Sequence, residues 1–242
     1  MTYQHPDLNL TDPTKGFAHF VLYTEPRIGA VGAAWNATVS IERPTPYVEE
    51  WVGRLERCEP NALHTTLVDP QEIPRLFHPC VDEDKASPSA VSGDGCTCRR
   101  TWVDPEFGLP VVGEHFRTVG GSSDRWTYTT YAPLDLRPDD AVESVIVDRG
   151  GLFWARTTEG VLSVLPMLES SGYGAGPTAG AGGASAFAGY LQQLLDTSGH
   201  DAAARGRASE RHDPRILAWV RSDAARRAEL TMTDLELLLQ PI

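Results

Sequence analysis

Lysine is almost missing from this chain of 242 residues: Lys15 and Lys85 are the only two, and arginine supplies the other cationic side chains. With the abundant alanine, glycine and proline, that substitution reads as the codon usage of a GC-rich bacterial genome or its phage. A basic start followed by an apolar stretch is lacking too, because Met1 to Pro13 is polar, which argues against a signal peptide. No apolar run approaches the roughly 20 residues that cross a bilayer. A soluble, cytoplasmic chain without membrane contact is therefore expected, in which the Asn36-Ala37-Thr38 glycosylation triplet carries no meaning. Cysteine stops at four, Cys58, Cys80, Cys96 and Cys98, and in that compartment these read as thiols or metal ligands rather than disulfides. Catalytic signatures are scarce as well: Ser170-Ser171-Gly172 is not a nucleophile elbow, which needs Gly-x-Ser-x-Gly after a strand.

What is present is acid, with a formal net charge of −12, which argues against general affinity for nucleic acid or anionic membrane. An apolar content of 41% and a charged content of 22% exclude wholesale disorder, and the length suffices for a self-contained core. Phe17 to Thr24 and Ile28 to Ile41 read as strands. Thr45 then caps a helix with Pro46 in its first turn, and Val48, Trp51, Val52 and Leu55 share one face. Asp69-Pro70-Gln71-Glu72 signals a second, short helix. Val81 to Asp94 is polar and small, as a loop is. Further strands are expected at Thr101–Val103, Val111–Thr118 and Trp126–Tyr131. Ser144 to Leu165 divides at Arg149-Gly150-Gly151 and Glu159-Gly160 into a three-stranded meander. Helices are expected at Ser185 to Asp196, ending before Gly199, from Asp213-Pro214 to about Glu229, and after Thr231, whose partner Asp234 completes a capping box.

Strands first and helices last make the fold class α+β: an antiparallel β-rich body with helices packed on it and a helical C-terminal tail. The expected organisation is a globular unit over 1–198, a polar connector over 199–212 and C-terminal helices over 213–242 that dock on the body or a partner.

Three constellations carry chemistry. His78, Cys80, Cys96 and Cys98 offer four borderline-to-soft donors, the number a tetrahedral zinc takes, although one residue rather than two to four separates each pair. Zinc is the one cofactor the sequence suggests. Gly182, Gly183, Ala184 and Ser185 open a helix after a glycine-rich loop, where exposed N–H groups suit a phosphate or carboxylate, or let the chain pack closely. Neither a P-loop lysine nor a dinucleotide fingerprint accompanies them. Arg215, Arg221, Arg226 and Arg227 belong to an arginine-rich tail that would meet nucleic acid or an acidic partner, or form a solvated helix face paired with Asp223. His115 beside Glu114 has the residue types of an acid/base pair, and the six tryptophans read as core anchors.

Val142 to Asp196, through Gly172-Tyr173-Gly174, Gly182-Gly183 and Ala186 to Leu195, resembles an uncharacterised short domain of actinobacterial and phage proteins. There a β-meander leads through a Gly-Tyr-Gly-rich loop into an Ala/Leu helix. The loop tryptophan usual in that domain is absent here, and Thr178 to Ala181 look inserted. The resemblance implies a local fold and no activity. The leading expectation is a non-enzymatic interaction or accessory protein with a protein partner or self-association. The alternatives are a zinc-binding or phosphate/nucleotide-binding enzyme, and a nucleic-acid contact through the arginine tail.

Overall fold

A computed structural model describes residues 38–41, 45–77, 96–117, 124–137, 140–167, 172–205, 211–226 and 228–240. The strands expected before residue 38, the loop at Val81 to Asp94, and His78, Cys80 and Arg227 lie outside them.

The first sheet contains β1 (Thr38–Ile41), β2 (Glu56–Arg57), β3 (Cys96–Asp104), β4 (Leu109–Arg117) and β5 (Asp124–Tyr131), antiparallel throughout in the order β1-β5-β4-β3-β2. Its longest hairpin, β3–β4, turns because the Asp104 carboxylate accepts from Glu106 N at 3.0 Å while Gly108 takes the left-handed φ of +64°. The second sheet holds the expected meander, β6 (Val142–Val147), β7 (Phe153–Thr157) and β8 (Leu162–Val164), with β9 (Glu229–Thr231) on the far edge of β6. Both of its faces are covered, which is why its strands read as nearly continuous apolar runs. Ile146, Trp154, Leu162 and Val164 meet Val39, Ile41 and Val111 of the first sheet. Val145, Val147, Phe153 and Ala155 meet the helices.

Those helices are α4 (Ala181–Asp196), α5 (Pro214–Val220) and α6 (Met232–Leu238); α1 (Pro46–Arg54) bears on the junction of the two sheets, and α2 (Ala62–Thr65) and α3 (Ile73–Leu76) lie along the chain before β3. Thr45 does cap α1: its hydroxyl accepts from Val48 N at 3.2 Å and donates to Asp148 at 2.6 Å. Asp69 caps a single 3-10 turn that runs on into α3. Phe187, Tyr190, Leu191 and Leu194 form the buried face of α4, and each fully buried apolar side chain contributes about 1.5–3 kcal/mol of transfer free energy.

The helix expected from residue 214 to about 229 is corrected. It stops at Val220, a 3-10 turn covers Asp223–Ala225, and Glu229–Thr231 becomes a strand instead. The open edge of β6 decides this: Val145 and Ile146 register with Leu230 and Glu229, and Leu230 is buried. Ile216, Val220, Leu230 and Leu235 then complete the core under α4.

Candidate functional site

Near Trp102, Val111 and Tyr128 the first sheet packs on the second, whereas Cys98, Arg100, His115 and Trp126 lie further along the same strands, outside that core. Register assembles this end of the sheet. Cys98 stands opposite His115 across β3 and β4, His115 opposite Trp126 across β4 and β5, and Arg100 and Tyr128 flank Gly113. The Cys98 Sγ lies 3.6 Å from His115 Nδ1. The imidazole stacks on the Trp126 indole, ring centres 4.5 Å apart and planes 11° from parallel. The Arg100 guanidinium lies over the same indole, 4.8 Å from its centre. Gly113 is required here, since a Cβ on it would stand 2.5 Å from the Trp102 ring. Trp102 thereby reaches across β4 to edge contacts with Trp126 and Tyr128.

Alternation along β4 separates His115 from Glu114, so the acid/base pair suggested by their adjacency does not form. Glu114 bonds Arg99, which also reaches Glu72 at 2.7 Å. Sequence reasoning singled out Cys98 and His115 separately and missed that they meet; the signal was an alignable hairpin, whose register only the fold supplies.

A second cysteine–histidine pair is built differently. Cys58 Sγ lies 3.7 Å from His64 Nε2, but that nitrogen is also 2.9 Å from the Trp102 carbonyl, so it carries the proton and donates it there. Its Nδ1 accepts from Asn61 N at 3.2 Å. Burial holds the His64 pKa below its ordinary value and pushes the Cys58 thiol up, leaving both neutral. With His64 buried and Cys58 half-buried, the pair joins α2 to β3 through the bond to the Trp102 carbonyl.

Of the expected metal ligands, Cys96 lies on β3 two positions before Cys98, and His78 and Cys80 fall outside the described residues. Among the described residues no group of three or more His, Cys, Asp or Glu converges to hold a metal.

Gly182, Gly183, Ala184 and Ser185 stand inside α4, which begins four residues earlier than expected. Gly183 serves close packing, whereas a Cβ on Gly182 would meet open space. Gly174 N donates to the Gly183 carbonyl at 3.0 Å, and a Cβ on Gly183 would lie 3.2 Å from Gly174 N. Ser185 Oγ is 3.1 Å from His212 Nε2, yet His212 Nδ1 is buried with no partner among the described residues. An N–H is costly to bury unsatisfied, so the proton belongs on Nε2 and points at the serine, the reverse of a general base.

Three of the four tail arginines, Arg215, Arg221 and Arg226, lie among the described residues. Arg215 grips Asp213 through two nitrogens at 2.8 and 3.0 Å and donates to the Leu239 carbonyl, holding the Asp213 carboxyl down to about 2. Arg226 lies across Gly176 and is 3.6 Å from Asp223, and Arg221 is exposed at the end of α5. An open cleft of about 540 Å³ between the end of α4, β6 and α6 is lined by Glu143, Ser198, His200 and Thr231 among others.

No family model, no curated protein and no solved structure matches this chain. Among the described residues no helix is long and apolar enough to cross a membrane.

Proposed function

We propose that this is a non-enzymatic interaction protein that binds an acidic protein partner through the end of its first sheet that lies outside the core shared with the second. The observation that carries the reading is the concentration there of Trp102, Trp126, Tyr128 and Arg100, all half-buried, on three registered strands. Trp, Tyr and Arg are the residue types that dominate binding energy at protein interfaces, because they bury large rigid surfaces while keeping a polar handle. Charge supports an acidic partner through Arg100, whose guanidinium lies over the Trp126 indole on the same face as Tyr128.

The test is co-purification from the native host with the full chain, beside Trp126→Ala and Arg100→Ala variants and a Leu237→Ala control at an exposed residue of α6. A stoichiometric partner recovered with the parent and the control, and lost from both the Trp126→Ala and Arg100→Ala variants, is expected. A partner recovered equally with all four proteins sinks the reading. A concentration-dependent dimer lost in the same variants makes the partner a second copy of this chain.

A further inference from the structure

We propose that α2 is an acid-released latch on the first sheet, held in place by His64. Asn61 to His64 form a capping box, in which the residue three places after the cap returns a bond to the cap's own N–H. Glutamate or glutamine ordinarily fills that place, and both keep their acceptor oxygens near neutral pH. Here the acceptor is an imidazole nitrogen. His64 Nδ1 takes the Asn61 N–H at 3.2 Å, while Asn61 Oδ1 takes Leu63 N at 2.9 Å. A histidine in this place makes the start of the helix titratable.

The same ring docks α2. Its Nε2 donates to the Trp102 carbonyl of β3 at 2.9 Å, so both nitrogens are engaged, and the residue is 1% exposed. A further tie joins the Thr66 hydroxyl to the Tyr131 phenol of β5. A second proton can enter only at Nδ1, since Nε2 already carries one. It breaks the bond from Asn61 N, and the nearest acceptor, Asn61 Oδ1 at 3.0 Å, already holds Leu63 N. It also sets a buried positive charge at a helix end where N–H groups already point. Undocking relieves both, because water solvates the imidazolium.

The surroundings do not compensate that charge. Strand register and alternation put Glu56 of β2, Arg99 of β3, Glu114 of β4 and Arg125 of β5 on the sheet face that bears Tyr131. Arg99 bonds Glu114 and Glu72. On the other side of the ring, the Cys58 thiol lies 3.7 Å from Nε2, kept neutral by burial and by Glu59. None of these charges moves the His64 pKa, which burial lowers against the opposing pull of the Trp102 carbonyl. The docked value therefore lies below the released one near 6.5, so docking is at full strength above that pH and weakens as pH falls through it.

The experiment is amide hydrogen exchange of the full chain, read by NMR from about pH 7 to about pH 5 and corrected for the intrinsic rate at each pH. Protection of the Asn61, His64 and Leu67 amides is expected to fall roughly tenfold across that range, while Leu191 and Leu194 of α4 keep theirs. In His64→Gln that loss is expected to vanish, because glutamine supplies an acceptor that does not titrate. A second measurement needs no variant: the ring nitrogen shifts of His64 are expected to show the proton on Nε2 at neutral pH. Amides of α2 that keep their protection to the acid end, an equal loss in folded His64→Gln, or a neutral ring protonated on Nδ1 would overturn the proposal.

Discussion

Two buried aspartates tie distant parts of the chain together through tryptophan N–H groups. Asp104 accepts from Trp51 Nε1 at 3.0 Å and from Arg54 at 2.7 and 3.2 Å, and Arg54 in turn reaches the Leu162 carbonyl. Asp148 accepts from Trp154 Nε1 at 3.2 Å and from the Thr45 hydroxyl. Removing one partner of a buried ion pair strands the other, so Asp104→Ala is expected to lower unfolding stability by about 3 kcal/mol in a urea titration. Tyr190 is buried and Tyr173 half-buried, with their hydroxyls on the Ala202 and Pro166 carbonyls, and desolvation pushes both phenols above their ordinary range. A raised folded-state pKa contributes stability that is complete below the unfolded value near 10 and is lost as pH climbs past it. The urea midpoint should therefore fall between about pH 9 and about pH 11, and Tyr173→Phe should fall less. An identical pH slope in that variant would show that the Tyr173 phenol is not the source.

At the scale of elements, α4 shows how a boundary is decided. Gly199 N donates to Leu194 O and Ser198 N to Leu195 O, a Schellman ending in which Ser198, not the glycine, occupies the first left-handed position with φ 51°. Gly199 is needed for a second reason: a Cβ there would stand 2.5 Å from the Val142 carbonyl oxygen, and its own carbonyl accepts from Val142 N. Ser198→Gly is accordingly expected to raise stability by roughly 0.5–1 kcal/mol, and Gly199→Ala to lower it by more than 1 kcal/mol, both read from thermal or urea midpoints. The ends of α1 and α6 were legible because their caps are local: Thr45 with Pro46, and Thr231 with Asp234. The first residues of β3, Cys96 to Arg100, were not legible, since Cys-Thr-Cys-Arg-Arg has no strand-like alternation and is extended by pairing with β4. The same reason hid the cluster of Cys98, His115 and Trp126. Cys98 and His115 are 17 residues apart, and only the hairpin register places them side by side.

Across the whole molecule, residues from one end of the described chain to the other share two cores. The larger contains Val145, Phe153 and Ala155 of the second sheet, Phe187, Leu191 and Leu194 of α4, and Ile216, Val220, Leu230 and Leu235 from the last 30 residues. Truncation after residue 212 would strip β9 from β6 and expose that core. The shortened chain is expected to lose its single cooperative unfolding transition in calorimetry; a truncated protein that melts as sharply as the parent would show the tail to be separable. By itself the sequence determined the α+β class, the meander of β6 to β8 with its glycine turns, and the capped starts of α1 and α6, because each rests on contacts between near neighbours. Only the tertiary structure decided that Glu229–Thr231 pairs with β6, that Gly183 packs against Gly174, and that Cys98 faces His115 rather than Glu114 facing it. Those outcomes depend on strand register and edge pairing, which arise from burial across the whole chain and leave no local pattern to read.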